Sequence, residues 1–505
     1  MLSPPFRRLL VANRGEIAIR ILRTCREMGI EAVAVYSDAD VDAPHVTESD
    51  HAERIGPAAP ASSYLDIGAL LAAAHRSGAQ AIHPGYGFLA ENAAFAHAVE
   101  EAGLIFVGPP SATLAKLGDK LAARRAAADA GVPVVPGTLL PLTDDPGAAA
   151  ERLALEVGFP ALLKAAAGGG GRGMRRVERA EEVATALIDA SREAGAAFGD
   201  GTIYAERLLT PARHVEVQVL GDRHGGLAVL GERDCSVQRR HQKLLEESPS
   251  PAVDETIRDA LFDAARRVVG TVGFHSAATA EFLLDDQGHH YFLEMNTRLQ
   301  VEHGVTELVT GLDLVAWQIR IAAGERLGPE VVDCRPRGHA IQARLYAEDP
   351  YRDFAPAPGT IGAWEMPDGP GVRVDPGVRA GTALPAEYDP LLAKLLVVAA
   401  DRPAAIARLR RALDETLIGG VQTDLPFFRW LVDQPGFGAG HYDTGLIPTL
   451  WGGGQPPSAD ELRLAAAVAV AARGAGAARP ANVDSRDHDG WATQARREAV
   501  ERWAR

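Results

Sequence analysis

Four short apolar runs, at residues 9–12, 33–36, 79–83 and 105–107, punctuate the first hundred residues, and the stretches between them carry helical periodicity. After Asn13-Arg14-Gly15-Glu16, the residues Ile17, Ile21, Cys25 and Met28 recur at helical spacing, and Gly29 supplies a stop. Alternating strand and helix units imply a parallel, doubly wound sheet with ligands at the carboxyl ends of its strands. No Gly-x-Gly-x-x-Gly follows the first strand, so nothing supports a dinucleotide site there.

The remaining chain changes texture three times. A second region begins near Lys116 and runs to about residue 324, dense in charge and His. A third, about 337–449, is rich in Gly and Pro with short alternating segments and reads as α+β. From about residue 452 an Ala-rich tail follows, with one helix expected over 460–472. With 505 residues, about three domains are expected.

Charge and composition exclude several classes. The net charge is −15, from 52 basic and 67 acidic side chains, which disfavours a nucleic-acid partner. No apolar run approaches the ~18 residues of a membrane span. Three cysteines without metal-ligand spacing fit a reducing compartment, and the N-terminus carries no secretory pattern, so a cytoplasmic protein is expected. Five lysines stand against 47 arginines. Where drift has replaced Lys by Arg, a surviving Lys marks a place that wants a compact ammonium.

Four segments carry chemistry. The run Gly168-Gly169-Gly170-Gly171-Arg172-Gly173 can form an anion-binding backbone nest or a plain surface loop, and the rare Lys164 upstream favours polyphosphate. Residues 279–296 read as a hairpin turning on Gln287-Gly288. With Asp286 facing His289, Glu281 falls opposite Glu294, and Asn296 lies one pleat further on the same face. Opposed carboxylates in a sheet are destabilising unless compensated, and a divalent cation would do so; a solvent-facing charged pair is the alternative. Alternation then puts Arg298, Gln300 and Glu302 on that face, a set able to hold a small oxyanion and supply a base. Last, Glu232–Lys243 is either a solvated charge run or a phosphate or carbonate site.

These segments carry a family resemblance. Over roughly residues 6–450 the chain resembles the biotin carboxylase component of biotin-dependent carboxylases, an ATP-grasp enzyme, with a texture nearest the α subunits of acyl-CoA carboxylases. The matching strings are Ala12-Asn13-Arg14-Gly15-Glu16-Ile17-Ala18, His83-Pro84-Gly85-Tyr86-Gly87-Phe88-Leu89 with Glu91-Asn92, Gly118-Asp119-Lys120, residues 168–174, 232–243 and 294–303, and Ala347-Glu348-Asp349-Pro350. The resemblance implies a Rossmann-like N-terminal domain (1–115), an ATP-grasp domain (116–330) with a mobile Gly-rich lid (about 136–207), an α+β C-terminal domain (337–450) and a tail or linker (451–505).

It also implies roles. Lys120, Lys164, Glu206, His214, Gln238 and His241 would bind ATP, with Gly168, Gly169, Gly170, Gly171 and Gly173 in the lid. Glu281, Glu294 and Asn296 would hold one or two Mg²⁺ or Mn²⁺. Lys243, Arg298, Gln300 and the Val301 backbone would hold bicarbonate, with Glu302 as its base. Arg344 would stabilise the biotin enolate, with Tyr86 near the biotin. Lys394 falls in a family-like string, and Lys116 has no implied role. Departures from the family pattern are Ala167, Gly304 in place of a proline, Ser276-Ala277-Ala278-Thr279-Ala280 in place of a Gly-rich lead, and Gln342 in place of a glutamate.

The implied activity is the first half-reaction of an acetyl- or propionyl-CoA carboxylase, with a homodimer, a biotin carboxyl carrier protein or domain, and a carboxyltransferase subunit as partners. The family's carrier lysine sits between two methionines, and none of the five lysines here adjoins a Met, so biotin is expected to arrive on a separate carrier chain, or on a carrier domain cut away from this one. Two other readings stand beside this one: an inactive scaffold paralogue in a carboxylase complex, and another ATP-grasp ligase of the carbamoyl-phosphate synthetase type.

Overall fold

The computed structural model describes residues 5–143, 145–166 and 174–454. The Gly-rich run with Ala167, and the helix expected over 460–472, lie outside the described residues. Strands β1 (Arg8–Val11), β2 (Glu31–Ser37), β3 (His51–Gly56), β4 (Ala81–His83) and β5 (Ile105–Phe106) form one sheet in the order β3-β2-β1-β4-β5, parallel at every pair. That is the doubly wound arrangement which the alternation requires. Strand β3 has no apolar run to announce it, because it is an edge strand whose first four residues are not buried. Helix α1 (Gly15–Glu27) buries Ile17, Ile21 and Cys25 on one face, and Gly29 at φ +71° ends it.

Two further sheets follow. A small one joins β6 (Ala161–Ala165), β7 (Arg175–Val177) and β8 (Ile203–Arg207) in the order β7-β6-β8. The large one comprises β9 (Arg213–Gly221), β10 (Leu227–Arg239), β11 (Gln242–Ser248), β12 (Ser276–Leu284), β13 (His290–Asn296), β14 (His339–Tyr346), β15 (Val372–Pro376) and β16 (Leu391–Ala399). Its order is β13-β12-β9-β10-β11-β14-β16-β15, antiparallel throughout. Strands from the second and third regions of the sequence therefore share one uninterrupted ladder.

Alternation along β9 explains which face of this sheet becomes a site. Val215, Val217 and Val219 pack with Ala278, Ala280 and Phe282 of β12 against Leu261, Ala264 and Val268 of the helix Glu255–Gly270. His214, Glu216 and Gln218 consequently project from the other side.

The β12–β13 hairpin corrects the expected turn. Its loop is not a two-residue Gln-Gly turn: Asp285 N donates to His289 O, Gly288 N donates to Asp285 O, and the first ladder pair is Leu284 with His290. The Asp285 carboxylate, accepting from the amides of Gln287 and His289, builds the longer turn. A bulge between the Phe282–Phe292 and Glu281–Glu294 pairs then shifts the register by one residue, so Glu281 still stands opposite Glu294 and Thr279 opposite Asn296. Among the described residues no helix is long and apolar enough to cross a membrane.

Candidate active site

One cleft of about 1790 Å³ opens beside the polar face of the large sheet. Lys120, Lys164, Glu206, His214, Gln238, His241, Lys243, Glu281, Glu294, Asn296, Arg298, Gln300, Val301, Glu302, Arg344 and Tyr86 all line it. Every site residue expected from the sequence is thus in one cavity, apart from the Gly-rich run outside the described residues.

The floor of the cleft is a cross-strand row. Arg233 pairs with Glu216, Glu216 with Glu281 and Glu281 with Glu294, across the four neighbouring strands β10, β9, β12 and β13. Three carboxylates side by side repel one another, so cations must answer them. Arg233, wholly buried, donates to Glu216 at 2.5 Å and also to Gln218 and Thr279, fixing the inner end. Lys243 Nζ lies 2.6 Å from Glu216, 3.0 Å from Glu281 and 2.8 Å from Glu302. His214 Nε2 is 2.9 Å from the other oxygen of Glu281, and Lys120 is 2.9 Å from Glu294.

These contacts set the charges. Burial works against ionisation of Glu281 and Glu294, but Lys243 with His214, and Lys120, outweigh it and hold both carboxyls below their ordinary range. Burial likewise opposes the charge on Lys243, yet Glu216, Glu281 and Glu302 push its value well up. An anionic row capped by oxygen donors, with the Asn296 amide oxygen on the same face, suits a hard divalent cation.

Arg298, Gln300 and Glu302 do converge on this row, but not as strand residues. The chain leaves β13 at Asn296 and turns irregularly into the helix His303–Thr310. Side-chain contacts do the aligning: Arg298 donates to Asn296 Oδ1 at 2.6 Å, to Gln300 Oε1 at 2.8 Å and to Glu91 at 3.1 Å. Glu302 accepts from Lys243 on Oε1 and from Arg344 on Oε2 at 2.9 Å. Burial would raise this carboxyl, but Lys243, Arg344 and Arg233 bring it well below its ordinary value. Just beyond, Gly304 lies in the first turn of that helix, and a Cβ there would run into Leu396 Cδ2, so Leu396 fills the space a larger residue would need.

The residues expected at a nucleotide come from two strands and a turn. Lys164 on β6 is 3.0 Å from Glu206 on β8, whose other oxygen takes Arg124 at 2.6 Å. His241 sits in the β10–β11 turn, where Arg240 and His241 have φ +48° and +69° between the ladder pair Arg239–Gln242. Two consecutive left-handed residues make a primed hairpin turn without a glycine, a strained geometry of the kind found where a side chain has to be aimed. Burial together with Lys164, His214 and Lys120 holds His241 below its ordinary value, favouring the neutral ring.

Sequence reasoning missed Glu216, Arg233, Glu246, Glu91 and Arg124. Each is a partner of an expected residue; Arg233 lies in the segment 232–243 and Glu91 in the matched Glu91-Asn92, but neither was given a role of its own. The polar alternation His214, Glu216, Gln218 between valines was the available signal for Glu216.

Three family descriptions match the chain in order: "Biotin carboxylase, N-terminal domain" over residues 5–114, "Carbamoyl-phosphate synthase L chain, ATP binding domain" over 119–330, and "Biotin carboxylase C-terminal domain" over 342–449. A biotin carboxylase of Halalkalibacterium halodurans is 46% identical over 442 residues, which cover 88% of this chain and 97% of that one. The biotin carboxylase domain dimer of Hydrogenobacter thermophilus 2-oxoglutarate carboxylase, solved with MgADP, ADP and bicarbonate, has a TM-score of 0.87 at 43% identity. It covers 90% of this chain and 99% of its own. A Campylobacter jejuni biotin carboxylase, solved as a β-γ-ATP complex, has a TM-score of 0.85 at 44% identity, covering 88% and 98%. The chain belongs to the biotin carboxylase family and shares its fold, an ATP-grasp domain between a Rossmann-like N-terminal domain and an α+β C-terminal domain.

Proposed function

We propose that this chain uses ATP and bicarbonate to carboxylate N1 of a carrier-borne biotin. The single observation that carries the reading is Glu302, an ionised carboxylate clasped between Lys243 and Arg344 beside the opposed pair Glu281 and Glu294. Arg298, Gln300 and the Val301 backbone are the anion-holding wall, and Lys243 is shared between that anion and Glu302. An arriving bicarbonate competes for the two cations; as they turn to it, Glu302 loses the partners that suppress its basicity and can take the bicarbonate proton. A bicarbonate oxygen then attacks the γ-phosphorus, the bond to the β-phosphate oxygen breaks, and ADP leaves carboxyphosphate behind.

Lys120, Lys164, Glu206, His214, Gln238 and His241 bind and orient the nucleotide, since phosphoryl transfer depends chiefly on position and charge. Glu281, Glu294 and Asn296 would hold Mg²⁺ or Mn²⁺, which supplies neutralisation of the phosphate oxygens. Breakdown of carboxyphosphate gives CO₂ and a phosphate that removes the N1 proton, while Arg344 supports the enolate charge and Tyr86 bounds the biotin. The Gly-rich run (168–173), expected as a lid, lies outside the described residues.

The domain limits 1–115, 116–330, 337–450 and 451–505, the cytoplasmic setting, the homodimer, the separate carrier and the acyl-CoA carboxyltransferase partner belong to the same reading. Its test is bicarbonate-dependent ATP hydrolysis stimulated by free biotin. Hydrolysis indifferent to both additions overturns it.

A further inference from the structure

Among the five lysines, Lys394 is the one whose side chain is wholly enclosed, and its contacts explain why an ammonium survives there. It sits on β16, directly opposite Arg344 of β14 in the ladder. Two cations opposed in a sheet repel, so each needs its own acceptors. Arg344 takes Glu246 and Glu302. Lys394 Nζ lies 3.1 Å from Glu16 Oε2 at the start of α1, 3.7 Å from Asp375 on β15, and donates to the Val301 carbonyl at 3.1 Å. The other oxygen of Glu16 accepts from the Tyr86 hydroxyl. A guanidinium is larger and planar, and no exposed space is left for one.

We propose that Lys394 is a positioning residue that ties the two substrate sides of the cleft together. Through the Val301 carbonyl it fixes the peptide that enters Glu302; through Glu16 it fixes the Tyr86 hydroxyl on the opposite wall. Tyr86 is further pinned by its backbone, whose carbonyl accepts from Asn13 at 2.7 Å. One ammonium thereby joins the first, second and third regions of the chain at the point where bicarbonate and biotin would meet. This inference rests on the roles given above to Glu302 and Tyr86.

The test compares Lys394→Met, Lys394→Met with Glu16→Gln (which removes the carboxylate left unpaired in the core), and Tyr86→Phe, all in the full chain. A misplacement near 1 Å is enough to cost about 100-fold in rate. For the Lys394 variants the expected result is a bicarbonate KM raised about tenfold or more and a lowered kcat, while the ATP KM stays within about twofold. Tyr86→Phe removes the hydroxyl that holds the other oxygen of Glu16, loosening the Lys394–Glu16 pair, and is expected to raise the bicarbonate KM several-fold as well as that of biotin. A folded Lys394 variant with unchanged bicarbonate and biotin KM overturns the proposal. If neither Lys394 variant folds, Tyr86→Phe decides, and an unchanged bicarbonate KM in it overturns the linkage. Failure here with Glu302→Gln still inactive leaves the assigned reaction standing; an active Glu302→Gln removes the reading itself.

Discussion

Lys243 Nζ stands 2.8 Å from Glu302 Oε1 and is shared with Glu216 and Glu281, at 2.6 and 3.0 Å. In Glu302→Gln the amide keeps the shape but can neither hold the charge nor take a proton. Bicarbonate-dependent ATP hydrolysis should fall by about 100-fold or more, while nucleotide affinity, read by calorimetry with ADP, persists. Full activity in this variant would remove Glu302 as the base.

Arg344 is steered by Glu246 through a 2.6 Å bond to Nε. Burial, with Glu302 adding to it, outweighs Arg344 and raises the Glu246 carboxyl to about 7. The folded protein therefore holds this proton more tightly than the unfolded chain. Its stabilising contribution is full below about 4.5 and is lost as pH climbs through about 7. Activity has the opposite slope, because the ionised form is the one that orients Arg344. With bicarbonate saturating, the rate should rise through about pH 7, and Glu246→Gln should flatten that limb; a pH–rate profile of both proteins checks it.

Glu247 points to the opposite side of β11 and serves stability. It pairs with His339 and Arg402, each at 2.6 Å, and accepts from Tyr442. Burial alone would raise it, but His339 and Arg402 bring it to about 2. A depressed folded value stabilises above about 4.5 and is lost as pH falls towards about 2. Glu247→Gln should cost about 3 kcal/mol at neutral pH, with the difference from wild type shrinking in acid, as measured by urea unfolding at several pH values.

Much of this arrangement was legible in advance, for uneven reasons. The alternation of the first hundred residues implies the parallel sheet, since few packings satisfy it. The Glu281–Glu294 opposition was reached through a turn that is wrong by one residue and a bulge that cancels the error; periodicity cannot register either. Arg298, Gln300 and Glu302 share a face because Asn296, Glu91, Lys243 and Arg344 hold them there, not because they alternate. Glu216 shows only as part of the polar alternation His214, Glu216, Gln218 between valines, and Arg233 only as one charge in the run 232–243, because their significance lies in neighbours 15 or more residues away along the chain. The continuity of the eight-stranded sheet across the second and third regions was equally hidden, since composition changes there and the ladder does not.

The row Arg233–Glu216–Glu281–Glu294 is part of the backbone ladder, so whatever occupies it is thermodynamically linked to the melting of the sheet. Unliganded, the three anions are answered by Arg233, Lys243, His214 and Lys120; a divalent cation arriving with a nucleotide would add a further partner in the native state alone. MgADP should therefore raise the thermal midpoint by more than ADP alone, and Glu281→Gln should narrow that gap; because Lys243 and His214 hold the Glu281 carboxyl below its ordinary range, the same change should lower the midpoint of the empty protein at neutral pH. On this expectation, depletion of nucleotide lowers the protein's resistance to unfolding and to proteolysis.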